Sequence, residues 1–245
     1  MKILLAPSET KTALCNEKFI SKENFIFPNL YEKRLQIITL YNDFIKNADF
    51  DELCRIFGTK KEKEIHYYGK DIFKSGCIKA ILRYSGVAFK SLDYRGLDIN
   101  SQNFIDDNLL IFSNLFGILS AKDEIPNYKL KQGEKIGEFD TQKFYFNELK
   151  DEIDKFLEND DILDLRAEYY NKFYIPNKEF LTMKFYKNGK VLSHFAKDMR
   201  GKIARQIAQN NLNTNEKVMA FNFENLKLND IKKLGNKIEI SYAIL

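Results

Sequence analysis

The sequence predicts one α/β-type domain, mixed α and β, built on a mixed sheet, and three observations carry that expectation. Short runs suited to strands buried on both faces recur at residues 3–6, 109–112 and 161–165. Between them lie stretches with apolar residues at helical spacing, over 30–46, 143–158 and 193–211. No internal repeat, low-complexity tract or Pro/Gly/Ser linker interrupts the 245 residues, so a single domain over 1–245 is the simplest solution.

Composition narrows the class. Hydrophobic residues at 44% and charged residues at 30% give an ordinary globular balance, and Phe and Tyr supply the aromatic volume because Trp is absent. The net charge of +4 does not by itself imply nucleic acid, since only clustered positive charge makes a useful field. Cys15, Cys54 and Cys77 are odd in number, far apart and free of any C-x-x-C spacing. They read as free, buried thiols in a reducing compartment, against a disulfide framework or a zinc site. With His66 and His194 the only histidines, a His-based metal site is nearly excluded; no metal and no cofactor are expected. The first apolar run is too short for a signal peptide and no stretch reaches membrane-spanning length. The expectation is a soluble, cytoplasmic protein with no membrane partner.

Taken in order, Ile3 to Ala6 form the first strand, ending at Pro7 and the polar loop Ser8-Glu9-Thr10-Lys11-Thr12. Ligands tend to bind at such strand ends, which makes Ser8 and Lys11 candidates for anion contact; a plain surface turn is the alternative. A helix over 30–46 is followed by a second over 51–57, stopped by Gly58, and a third over 60–68. Residues 51–68 thus form a helical hairpin whose turn, Thr59-Lys60-Lys61, is basic and could touch a DNA backbone, although it lacks the paired glycines of the common helix-hairpin-helix. Residues 77–84 read as helical, broken at Ser85-Gly86, with 87–94 continuing; Ser101 reads as the cap of a helix to about Asp107. Leu109 to Phe112 is a second strand, turning through Ser113 to Leu119, and 126–137 is an irregular basic loop.

Residues 143–158 form an amphipathic helix whose carboxylates have the spacing of a solvated face. Asp161 to Leu165 is a third strand with Arg166-Ala167-Glu168-Tyr169-Tyr170 at its end. Phe180 to Tyr186 pairs with Lys190 to Ser193 across Asn188-Gly189, a type I′ hairpin signal. After the helix to about Asn211, residues 218–221 read as a strand, 229–234 as a short helix ending at Gly235, and 237–244 as a final alternating strand.

The stretch Ser193 to Arg205 carries the functional signal. On a helix advancing about 100° per residue, Lys197, Gly201 and Ala204 align, flanked by Arg200 and Arg205, with Lys202 alongside. Ala196, Met199, Ile203 and Ile207 would pack inward. Cations around a smooth Gly/Ala floor would let a phosphate or carboxylate approach the backbone; a solvated cationic face is the alternative. His194 sits beside these cations and is a catalytic candidate, or a residue that merely caps or packs.

Four segments in order resemble one family, the YaaA peroxide-stress proteins: M-K-I-L-L-A-P-S-E-T-K at 1–11, A-I-L-R-Y-S-G-V-A-F-K-S-L-D at 80–93, I-F-S-N-L-F-G-I-L at 111–119 continuing to Y-K-L-K-Q-G at 128–133, and S-H-F-A-K-D-M-R-G-K-I-A-R at 193–205. L-R-A-E-Y-Y at 165–170 is also similar. The resemblance implies the family's "cantaloupe" fold, a mixed, barrel-like sheet wrapped by helices with a positively charged cleft. It further implies a role in limiting peroxide damage by keeping intracellular iron low, and DNA binding through a helix-hairpin-helix, to which 51–68 corresponds by order.

Two readings of the cleft follow. In one, it binds DNA without sequence preference, or another polyanion, through Lys197, Arg200, Lys202 and Arg205, helped by Ser8, Lys11, Lys60 and Lys61. In the other, the chain is an enzyme acting on a phosphate- or carboxylate-bearing small molecule. Strand ends at Ser8, Ser113 and Arg166–Glu168 would converge there, with Glu168 as acid/base, Tyr84 or Tyr169 as donor, and Lys197 and Arg200 as anion clamp. An ion pair of Glu168 with Arg166 or Arg200 is the structural alternative. Direct iron binding lacks ligands, because only carboxylates remain.

Overall fold

Backbone hydrogen bonding in a parallel sheet needs strands that can be buried on both faces, and the central strands of this chain meet that demand. The structure, a computed structural model, describes the backbone of every residue except 188, 189 and 192 and the side chains of all but 188–194. In order, the chain forms β1 (Lys2–Leu5), α1 (Tyr31–Asn47), α2 (Phe50–Phe57), α3 (Glu62–Tyr68), β2 (Ile78–Lys79), α4 (Ala80–Arg83), α5 (Val87–Leu92), α6 (Ile99–Asn108), β3 (Leu109–Ser113) and β4 (Gly117–Ser120). It continues with β5 (Glu124–Ile125), α7 (Thr141–Leu157), β6 (Ile162–Asp164), β7 (Phe180–Lys187), β8 (Lys190–Val191), α8 (Ser193–Gln209), α9 (Asn215–Ala220), β9 (Leu226–Leu234) and β10 (Lys237–Ile244).

The main sheet runs in the order β4-β3-β1-β6-β7-β10-β9, with β8 on β7. The pairs β3–β1, β1–β6, β6–β7 and β7–β10 are parallel, so their carboxyl ends emerge along one side of the sheet. β4, β8 and β9 add antiparallel pairing at the margins, which makes the sheet mixed as expected. β2 and β5 form a separate two-stranded ribbon. A continuous apolar core joins both faces, and β1, β3 and β6 lie almost wholly inside it.

Several boundaries differ from the sequence reading, each for a local reason. Residues 229–234 are strand, not helix: Gly235, at φ 61°, is the turn of a β9–β10 hairpin in which Leu234 faces Lys237, not a helix stop. Residues 218–221 do not form a strand; the Thr214 side chain accepts from Lys217 N–H and caps α9, which buries Val218. The helical run expected over 77–84 splits into β2 and the single turn of α4. Asp98, not Ser101, caps α6. The helical hairpin is present as α2 and α3, with Asp49 capping α2 and Gly58 closing it at φ 63°. The Asn188-Gly189 turn lies outside the described residues, although Tyr186 pairs with Val191 across it.

Candidate functional site

The cleft forms where α8 crosses the carboxyl ends of the parallel strands. One cavity, of about 380 Å³, is bounded by the β6 end (Asp164 to Glu168), the β7 and β10 faces, and α8. A second, of about 290 Å³, lies between the Leu5–Thr10 loop after β1, the start of α5, Tyr170 and α8. Ala167, Lys197 and Arg200 line both, so the two cavities are lobes of one cleft that meet at α8.

Of the residues the sequence grouped, Lys197 and Arg200 line both lobes, Glu168 the larger and Ser8 the smaller. Ser8 is held by its neighbours: its hydroxyl donates to Thr10 O at 2.7 Å and accepts from Gly86 N–H at 3.0 Å. A Cβ on Gly86 would lie 2.5 Å from that of Ser8, so this approach depends on glycine. Lys197 and Glu168 are exposed at the rim. Arg200 is half-buried, and among the described residues no hydrogen bond or ion pair holds its guanidinium. Burial pulls its pKa below the ordinary value, with the Asp164 and Glu168 carboxylates opposing.

Glu168 does not pair with Arg166, which is already engaged. Buried Arg166 forms a bidentate bridge to Asp164 at 2.9 and 2.7 Å and donates to the carbonyls of Tyr170 and Tyr174. This pair fixes the segment that carries Glu168. On the opposite wall Glu239 accepts from Lys184 at 3.0 Å and from Lys237 at 3.2 Å. Burial opposes its ionisation, but the two ammonium groups hold its carboxyl below the ordinary range. Five cationic side chains (Arg166, Lys184, Lys197, Arg200, Lys237) then face three carboxylates (Asp164, Glu168, Glu239) in the larger lobe, leaving an excess of two positive charges.

The Gly/Ala floor is not open to a ligand. α5 packs directly on it: a Cβ on Gly201 would stand 2.0 Å from Ala88 O and 2.9 Å from Ser91 Cβ, and Ala204 is fully buried. Arg205 is turned away from the cleft, donating to the carbonyls of Leu92, Asp93 and Gly96 at 2.8 to 3.0 Å, where it satisfies the end of α5. Lys202 pairs with Asp198 at 2.8 Å, and Asp198 accepts from Ser91 Oγ. Arg205 therefore docks α8 on α5, while Lys202 is held along α8 by a partner that itself reaches α5.

Lys11 lies beneath the β1 loop. The residue as a whole is half-buried, but its nitrogen is enclosed, donating to Ser8 O and Glu9 O and lying 4.2 Å from the Tyr128 ring centroid. Burial lowers its pKa to about 7, with Glu9 opposing and Lys129 and Arg83 adding to the effect. Tyr84 and Ser113 point inward: Tyr84 Oη is 2.9 Å from Tyr128 Oη, which is 2.8 Å from Ser113 Oγ. Tyr169 packs edge-on against Tyr170 and does not line either lobe. Lys60 and Lys61 sit in the α2–α3 turn beside Gly58 and Arg55, outside both lobes; Lys61 pairs with Glu64 at 3.3 Å. The His194 side chain lies outside the described residues.

Sequence reading missed Tyr170, Thr182, Lys184, Lys237 and Glu239. A signal existed. In β7 and β10, Thr182 and Lys184 align with Glu239 and Ser241. Charged residues at alternate positions of neighbouring central strands mark a sheet face that lines a cleft rather than a core. Among the described residues no group of three or more His, Cys, Asp or Glu side chains is arranged to hold a metal ion, and no helix is long and apolar enough to cross a membrane.

Residues 1–232 match the family described as peroxide stress protein YaaA. An uncharacterized protein of Campylobacter jejuni is 46% identical over 245 residues, covering 100% of both chains. A UPF0246 protein of Corynebacterium glutamicum is 31% identical over 220 residues, covering 85% of each, and one of Malacoplasma penetrans is 27% identical over 253 residues, covering 99% of this chain and 96% of its own.

Proposed function

Because the chain belongs to the YaaA peroxide stress protein family, we propose that it serves the peroxide response by binding a small phosphate- or carboxylate-bearing molecule in the two-lobed cleft. The observation that carries this reading is Arg200: a half-buried guanidinium at the junction of the lobes, without a hydrogen-bonding partner among the described residues. A partly desolvated cation without acceptors is unfavourable, and an anion that supplies them recovers that cost. Lobes of about 290 and 380 Å³ have the capacity of small-molecule sites, not of a duplex. Lys197 adds a second charge at the rim, and the Ser8 loop closes the far side. Glu168, fixed beside Arg200 by the Asp164–Arg166 bridge, is placed to exchange a proton with whatever is bound there, which is the enzymatic form of the proposal.

Binding to DNA is the second reading, and the observation favouring it is the exposed basic turn between α2 and α3, with Lys60 at its tip. In this form the turn holds a backbone while the cleft takes a phosphate. Limitation of intracellular iron would then follow indirectly, from what the cleft binds or converts.

Calorimetric titration with inorganic phosphate and nucleoside monophosphates separates the readings. Saturable binding of a small anion, weakened at least about tenfold by Arg200→Ala, supports the cleft reading. No small-anion binding, together with duplex affinity that falls steeply with salt and is lost in Lys60→Ala, replaces it with the DNA reading.

A further inference from the structure

Cys15 and Cys77, remote in sequence, are brought together by one arginine. Arg83 is fully buried and donates to the carbonyls of Thr12 at 2.7 Å, Leu14 at 2.6 Å, Gly76 at 3.0 Å and Ile125 at 3.2 Å. Leu14 and Gly76 immediately precede the two cysteines, so a single guanidinium clamps both cysteine-bearing segments. None of these partners is a carboxylate. The charge is left unneutralised, and both thiols lie within its electrostatic reach.

The backbones touch. A Cβ on Gly76 would stand 2.9 Å from Cys15 Cβ and 2.0 Å from Asn16 O, so Cys15 rests on the peptide next to Cys77, where only glycine fits. Cys77 N–H in turn donates to Lys18 O at 2.8 Å. The loop is thus pinned on either side of Cys15, at Leu14 and at Lys18. Cys15 is exposed and Cys77 is buried, which corrects the expectation that all three thiols are buried. Residues 12–20 have no helix or strand, so bringing the sulfurs together moves a surface loop and leaves the core in place.

We propose that Cys15 is a peroxide-oxidised site of this protein and that Cys77 resolves it to an intramolecular disulfide. The Cys15 thiolate attacks one oxygen of hydrogen peroxide; an S–O bond forms, the O–O bond breaks, and the leaving hydroxide takes a proton to become water. Sulfur loses two electrons and peroxide gains them. The Cys77 sulfur then attacks the sulfenic sulfur: an S–S bond forms, the S–O bond breaks, and the hydroxide leaves as water with the Cys77 proton. Two thiols and one peroxide give one disulfide and two waters. Burial pushes the Cys77 thiol up to about 12, so it is protonated at neutral pH and carries its own proton to the leaving hydroxide. The proposal does not depend on what the cleft binds.

The test uses the full chain, pre-reduced, exposed to hydrogen peroxide at neutral pH and digested without reduction for mass spectrometry. The expected product is a Cys15–Cys77 linked peptide pair with Cys54 unlinked. Cys77→Ser is expected to stop at a Cys15 sulfenic acid that dimedone traps, and Cys15→Ser to slow oxidation of Cys77 at least about tenfold. The wild-type cross-link is read without any variant, and circular dichroism checks that Cys77→Ser remains folded. Cys77 oxidised equally fast in Cys15→Ser, Cys15 advancing to sulfinic acid while wild-type Cys77 stays reduced, or a link to Cys54 instead would each overturn the proposal.

Discussion

Four arginines of this protein sit in or near the interior, and they divide into two kinds. Arg34 donates to the carbonyls of Phe116, Phe27 and Ile118, Arg83 to carbonyls of three segments, and Arg166 to Asp164 and two carbonyls. In each the planar fork is filled by acceptors, from distant segments for Arg34 and Arg83 and from within eight residues for Arg166, so the residue acts as a brace. Arg200 is half-buried and, among the described residues, lacks such acceptors. Burial alone therefore does not separate a structural cation from a functional one; the state of its hydrogen-bond acceptors does.

The largest expected effect tests that division directly. Arg34→Ala and Arg83→Ala should each lower unfolding stability by about 3 kcal/mol or more, because several buried carbonyls lose their donor at once. Arg200→Ala should change it by less than about 1 kcal/mol, since no carbonyl depends on it. Urea denaturation of the three variants decides, and an Arg200→Ala loss as large as that of Arg83→Ala would break the comparison.

A second contrast lies within α8. Gly201→Ala should cost about 2 kcal/mol, because the new methyl meets a backbone carbonyl that cannot swing aside. Lys202→Ala, four positions from its Asp198 partner on a half-exposed surface, should change stability by no more than about 0.5 kcal/mol. Thermal melts of both variants would show whether the side of α8 facing α5 is structural.

A further contrast is a pH dependence beside Arg34. Burial raises the Asp123 carboxyl from 3.8 to about 7, with Arg34 and the N–H groups of Ser120 and Ile26 opposing. An acid whose folded pKa lies above its unfolded one favours the native state when protonated. Its contribution is present below about pH 4 and is lost as pH rises toward 7. Stability measured between pH 4 and 7 should decline less steeply in Asp123→Asn than in the parent chain.

The cores of the elements were legible because burial on both faces and helical periodicity leave direct marks, as at Leu109–Phe112 and across Leu30–Lys46. The hairpin at Gly235 was not, since a glycine after an apolar residue closes a helix or turns a strand alike until the pairing partner is known. Within the site, Lys197, Arg200, Ser8 and Glu168 were visible as types suited to anions at strand ends. Arg205 looked equivalent on the helix wheel. What removed it was the identity of the facing element, α5, which periodicity within α8 does not encode. Lys184 and Glu239 were hidden for a related reason: their shared face depends on a parallel register between strands separated by more than fifty residues.

That register has a temporal consequence. β10 occupies residues 237–244, yet it inserts between β7 and β9 and supplies Lys237 and Glu239 to the larger lobe. During synthesis, β1, β3, β6, β7 and α8 all emerge before it, and β7 must wait for its neighbour with a free edge. The cleft is thus completed by a strand translated after all of these. A ribosome-stalled or C-terminally clipped chain would hold Arg200 and Lys197 but lack the opposite wall, and would present the β7 edge to any other strand within reach.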